Sequence, residues 1–254
     1  MRFYDCDGLW IRRNRYFDSA PVAPDASDHF SFVTTKNVTN NTNVHICGNR
    51  IEDLQLEVDH CSGATVCHNK VYRSPVTAGI GVFSTATGSP VCEDYDIHDN
   101  LIVDPKASAA AITVDVDPAG ADNVTMRRFN IHDNNVVYTG ATPPKRGVLV
   151  GTTNNNTVSS GCAFSDIDVF HNRITYAGGA FSGEAIFFNS SATTTITFER
   201  CDVSQNRLSG TGGGTGIDLR RFDNGSVVDN RVTNFETPVS VGTAVTPSFV
   251  RLIG

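Results

Sequence analysis

The chain has 254 residues and a formal net charge of −7, which suits one large domain and disfavours a nucleic-acid partner, since that would call for a basic face. Good helix formers are scarce, with 8 Leu, 6 Glu and 4 Lys, while Thr, Val, Ile, Asn, Asp and Gly dominate, so strands and turns are favoured over helices. No apolar stretch approaches the roughly 18–20 residues that span a bilayer, which argues against a membrane partner.

The opening "MRFYDCDGLWIRRNRYFD" has no apolar signal segment. It reads as the start of a fragment or trimmed chain, extracellular or virion-associated in its native setting. Seven Cys is an odd number and no CxxC pair occurs, so neither a disulfide framework nor a zinc module is signalled.

Taken in chain order, one pattern recurs: apolar, any, any, Asn, any, apolar. It reads "IRRNRY" from Ile11, "ICGNRI" from Ile46, "VCHNKV" from Val66, "IHDNLI" from Ile97 and "IHDNNV" from Ile131. It continues as "VFHNRI" from Val169, "VSQNRL" from Val203 and "VVDNRV" from Val227. The asparagines are Asn14, Asn49, Asn69, Asn100, Asn134, Asn172, Asn206 and Asn230, at spacings of 35, 20, 31, 34, 38, 34 and 24. Self-similarity at such periods marks a solenoid.

Each unit predicts three strands. Before the leading apolar residue, a second apolar or small one stands two positions back (Leu9, Val44, Ala64, Tyr95, Phe129, Ile167, Cys201), the period-2 alternation of a strand with one buried face. Asn tolerates the left-handed conformation and bonds nearby backbone, so it should form a one-residue corner. Stacked coils would bring the Asn side chains into register, where they can bond along the stack. A second short strand follows each Asn. A third precedes most units: "GIGVFS" from Gly79, "AITVDVD" from Ala111, "GVLVGT" from Gly147, "EAIFFNS" from Glu184 and "GIDLRRF" from Gly216. Length variation falls in loops such as "DSAPVAPDASDHF" and "TTNNNTVSSG".

These repeats resemble the right-handed parallel β-helix, pectate-lyase-like superfamily, which carries an Asn at the sharp turn between two of its strands. The resemblance covers essentially the whole chain, 1–254, as a single domain lacking an N-terminal cap. It implies an all-β solenoid of about eight coils, three short strands per coil, with an Asn turn ladder. The superfamily holds polysaccharide lyases, polygalacturonase-like hydrolases, uronate epimerases, phage tailspikes and adhesins. The motif set of polygalacturonases is missing from this sequence, which puts a hydrolase of that kind in doubt.

The third-strand face is the first candidate site. In "AITVDVD", Ile112, Val114 and Val116 alternate inward, so Thr113, Asp115 and Asp117 should point outward together. Asp115 and Asp117 are the candidate acid and base, or calcium ligands. Asn189, Asp218 and Arg220 fall on equivalent outward positions and Lys145 lies in the adjoining loop "TGATPPKRG", so these four are candidate substrate contacts. Exposed rings beside carboxylates would suit a carbohydrate; calcium is the one cofactor such a face would take.

The "IHDN" histidines, His98 and His132, should point outward in one column with Cys47, Cys67, Phe170, Ser204 and Val228. A linear ladder does not converge as a metal site must, so stacking on a sheet is the simpler reading. Cys47 and Cys67 are close enough for a disulfide in an oxidising compartment. The slot just before the Asn (His68, His171, Asp99, Asp133, Asp229) reads as turn capping. Trp10 should face outward.

The sequence thus supports a carbohydrate-active β-helix acting on a uronate-containing polysaccharide as lyase, hydrolase or epimerase. The alternative is a non-catalytic rod, a tailspike or adhesin segment, which would assemble as a homo-trimer.

Overall fold

The computed structural model describes residues 6–17, 41–74, 78–84, 91–105, 110–116, 123–140, 146–151, 162–190 and 196–242. Every regular element among them is a strand, and the strands pair in parallel into three sheets. The fold is an all-β parallel solenoid, a β-helix. Asp117, Lys145 and the two long loops named above lie outside the described residues.

The first sheet holds the strands that lead to each Asn: Trp10–Arg12, Asn41–Cys47, Cys61–Cys67, Val91–His98, Thr125–His132 and Ala163–Phe170, then the short pieces Phe198–Glu199, Asp202–Ser204, Phe222–Asp223 and Ser226–Val228. The second sheet stacks eight strands, one directly after each Asn, from Arg15–Phe17 to Arg231–Thr233. The third stacks seven: Leu56–Glu57, Ala78–Ser84, Ala110–Val116, Arg146–Gly151, Glu184–Asn189, Thr215–Leu219 and Thr237–Val241.

The core follows from register. Ile11, Ile46, Val66, Ile97, Ile131, Val169, Val203 and Val227 are consecutive partners in one inward column, and all are buried. Each such aliphatic side chain contributes about 1.5–3 kcal/mol on leaving water. A one-residue slip would turn the whole column outward, so the register is strongly specified.

The Asn ladder is continuous. The amide oxygen of Asn49 accepts from the backbone N–H and side-chain amide of Asn14, and the same pair of bonds repeats at every step to Asn230. Each side-chain amide from Asn49 onward also donates to a carbonyl of the preceding coil, as Asn134 does to Ile97 at 2.8 Å.

The corner differs from the sequence expectation in one respect. The left-handed residue is the one before the Asn: Arg13, Gly48, His68, Asp99, Asp133, His171, Gln205 and Asp229 all have φ between 52° and 73°. Asn keeps its amide for the ladder, and its neighbour takes the strained backbone at a cost of roughly 1–2 kcal/mol per non-Gly residue. A second left-handed column lies six residues before the Asn: Gly8, Asn43, Gly63, Asp94, Arg128, Asp166, Arg200 and Asn224. It falls inside the five long strands of the first sheet and between the short pieces of the last coils, an irregularity that the period-2 pattern does not announce.

Cys47 and Cys67 are register partners joined by a disulfide, with Cα atoms 4.6 Å apart. The middle strands of the third sheet are buried on both faces. Ile112, Val114 and Val116 point into the core as expected, but the outward Thr113, Leu149 and Phe187 are also buried.

Candidate functional site

On the third sheet, the sequence candidates come together without forming an open face. Asp115 is 2% exposed, Asn189 4% and Asp218 7%. Asp115 pairs in register with Phe83 on one side and Gly151 on the other, and Gly151 pairs with Asn189. Arg220 is held by Asp218 at 3.2 Å. The outward ring of Phe187 carries two guanidiniums, those of Arg146 and Arg220, 4.9 and 4.7 Å from its centroid. Burial of these acids replaces the solvated strand face that alternation alone suggests.

Trp10 is outward and 53% exposed. Its ring stacks on His45 at 4.0 Å and carries the Arg12 guanidinium at 3.5 Å.

Among the described residues, a concave surface lies on the first sheet. A cleft of about 370 Å³ is lined by Asp94, Tyr95, Asp96, Arg128, Asn130, Asp166 and Asp168. Two outward columns build it. The column six residues before the ladder Asn alternates in charge: Asp94, Arg128, Asp166, Arg200. Arg128 binds Asp94 through Nε and Nη2 at 2.6 and 3.0 Å, and Arg200 binds Asp166 in the same way at 2.7 and 2.9 Å. Both carboxyls are held below their ordinary range, first by the arginine hydrogen bond. Arg127 and Arg128 also share Glu93. This column is electrostatically self-contained.

The column four residues before the Asn is not. Its partners run Asp96, Asn130, Asp168, Asp202, Ser226. The Asp168 carboxyl is pushed up, first by burial and then by the charge of Asp202, against the opposing hydrogen bond from the Asp202 backbone. Asp202 accepts from the N–H and hydroxyl of Ser226. Asp96 accepts from or donates to His132 Nε2 at 2.9 Å, according to protonation. Asp96 and Asp168 are two rungs apart, with Asn130 between them, so their Cα atoms are separated by about 9.6 Å.

The "IHDN" histidines border this column. His98 and His132 sit on adjacent rungs, stacked at 5.1 Å, with Phe170 stacked on His132 at 4.7 Å. The predicted column of Cys47, Cys67, His98, His132, Phe170, Ser204 and Val228 is the observed register. Each of these two histidines binds the aspartate of its own corner, Asp99 or Asp133, at 2.8 Å.

Among the described residues no group of three or more His, Cys, Asp or Glu could hold a metal ion. A repeated signal for the cleft stands in the sequence: "DYDIHDN" and "DIDVFHN" place Asp at the same two distances from their Asn. No family model, curated protein or solved structure matches the chain.

Proposed function

We propose that this β-helix is a carbohydrate-active protein that binds a polysaccharide along the outer face of its first sheet and hydrolyses it. Asp168 is the general acid and Asp96 the general base. The observation that carries this reading is Asp168, whose carboxyl is held above its ordinary range by burial and by Asp202, two rungs from Asp96 in an open cleft. A carboxyl raised above its ordinary range, set across a cleft from a second carboxyl, is the arrangement that glycoside hydrolysis needs. A Cα separation of about 9.6 Å, with Asp96 leaning toward His132 on the next rung, suits the roughly 6.5–9.5 Å between carboxyls that leaves room for a water and inverts the anomeric centre.

A lyase would need a cation to neutralise a uronate beside the base. The arginine of the cleft, Arg128, already serves Asp94 and Glu93, which favours hydrolysis over elimination.

The test is a turnover screen against polyuronates and neutral glycans, read as new reducing ends and as unsaturated-uronate absorbance. Proton NMR of the first product then gives its anomer. The expected result is reducing ends without absorbance, an inverted anomer, and losses of about 10²–10⁴-fold in Asp168→Asn and Asp96→Asn. Retention of configuration, or full turnover in Asp168→Asn, would overturn the assignment. Silence on every substrate from folded protein would leave the non-catalytic rod as the better reading.

A further inference from the structure

The corners beside the cleft carry more than turn capping. Four histidines and three aspartates form one unbroken chain across consecutive coils. His68 Nε2 lies 4.0 Å from Asp99 Oδ2, which is 2.8 Å from His98 Nδ1. His98 Nε2 faces Asp96 Oδ2 at 3.9 Å, and Asp96 Oδ1 is 2.9 Å from His132 Nε2. His132 Nδ1 meets Asp133 Oδ2 at 2.8 Å, and Asp133 Oδ1 faces His171 Nδ1 at 3.9 Å. Its middle member is Asp96, a wall of the cleft.

Resting on the reading of the cleft as a glycan site, we propose that this chain is an acid-operated charge switch that admits an anionic polysaccharide, a polyuronate, only when its imidazoles are protonated. With neutral imidazoles, three carboxylates give the chain a formal charge of −3; four added protons make it +1. Imidazole is the side chain that ordinarily changes charge between pH 5 and 8. His132 shows why its proton matters: both ring nitrogens face carboxylate oxygens, and only the doubly protonated ring donates at both ends.

The surroundings do not offset this switch. Toward the N-terminal end His98 meets the Cys47–Cys67 disulfide by register and His68 edge-on at 5.8 Å, and toward the other end His132 meets Phe170. Among the described residues, the charges beside the cleft include Glu93, Asp94, Asp166 and Glu199, paired with Arg127, Arg128 and Arg200, and Asp168 beside Asp202. Their sum is acidic, so in the unprotonated state the site repels a uronate. Protonation adds up to four positive charges to a chain whose middle member, Asp96, lines the cleft.

The test has two arms. Histidine ring resonances of the free protein are titrated by NMR in wild type and in Asp96→Asn. The switch requires that the midpoints of His98 and His132 both move in the variant. Binding of polygalacturonate and of a neutral glucan is then measured at about pH 5.5 and 7.5, bracketing the imidazole range. Polygalacturonate should bind at least about tenfold more tightly at the lower pH, the glucan should change less than about twofold, and His98→Gln/His132→Gln should lose most of the pH effect.

Unmoved histidine midpoints would overturn the switch whatever the glycan result, and so would pH dependence retained in the double variant or shared equally by the glucan. Coupled histidines with no glycan bound at either pH would instead overturn the glycan reading, and the gate with it.

Discussion

Asn134→Ala tests whether the ladder holds the solenoid together. Asn134 is 1% exposed and its side chain makes four hydrogen bonds. Its oxygen accepts from the Asn100 N–H at 3.1 Å and from the Asn100 amide at 3.0 Å. Its amide donates to the Ile97 carbonyl at 2.8 Å and to the Asn172 oxygen at 3.0 Å. Truncation does not harm these partners equally. The Asn100 amide keeps its bond to the Val66 carbonyl, and the Asn172 oxygen keeps the Asn134 N–H. The Asn100 N–H and the Ile97 carbonyl lose the bonds that Asn134 supplies. At about 1–3 kcal/mol for each buried group left unpaired, the cost is roughly 2–6 kcal/mol. Asn14→Ala is the internal control. It removes one part-buried side-chain bond at 3.2 Å, and the backbone bond to Asn49 survives, so its cost is under about 1 kcal/mol. Urea unfolding followed by circular dichroism compares the two at matched slopes. A loss of about 1 kcal/mol or less in Asn134→Ala, or equal losses in both variants, would refute the ladder as the principal polar restraint.

Further outcomes follow from the same geometry. Reducing Cys47–Cys67, which closes a separation of 20 residues, should cost about 3 kcal/mol through unfolded-chain entropy, visible as a lower melting temperature with reductant that Cys47→Ser/Cys67→Ser abolishes. Gly151→Ala should cost more than about 2 kcal/mol, because φ is +124° and the new methyl would meet the Asn189 carbonyl oxygen at 2.1 Å; a melting temperature equal to wild type would contradict this. Asp168 has a raised carboxyl, so its folded form retains the proton longer than the unfolded chain does, and the stability it contributes is present in acid and lost as pH rises through the folded value. Asp168→Asn should therefore gain a few tenths of a kcal/mol at pH 7, discounted for its partial exposure, and nothing near pH 3. Asp94 has a lowered carboxyl through Arg128, so Asp94→Asn should show the opposite sign, a small loss at pH 7 that fades in acid.

The fold was legible because the ladder ties a side-chain identity to a backbone position. Eight asparagines in one register needed no other explanation than stacked corners, and the inward columns followed from alternation. The left-handed residue was misplaced by one because Asn is the usual non-Gly occupant of that conformation. Here its amide is needed between coils, and the neighbour carries the strain. The site was less legible. Alternation predicts which way Asp115 and Asp218 point and says nothing of whether the outer face is covered. On the first sheet the left-handed bend at Asp94, Arg128 and Asp166 breaks the alternation just where the cleft forms, hiding two Asp-x-Asp pairs that a scan by distance from the ladder Asn would align.

Two neighbouring columns of the first sheet, under the same stacking rule, show why the second deserves a functional test. Stacking brings equivalent side chains within about 4.8 Å, so like charges in one column destabilise the fold unless something intervenes. In the column of Asp94 and Asp166 the chain places Arg128 and Arg200 as the alternate members, and both acids are held in the ionised form. In the column of Asp96, Asp168 and Asp202 no cation alternates. Asn130 separates the first pair, and Asp168 stands next to Asp202 with its carboxyl raised. A solenoid built for rigidity alone could repeat the arginine solution one column over. Holding a carboxyl above its ordinary range in the lining of a cleft, against the electrostatic cost, is the pattern expected where the proton has work to do.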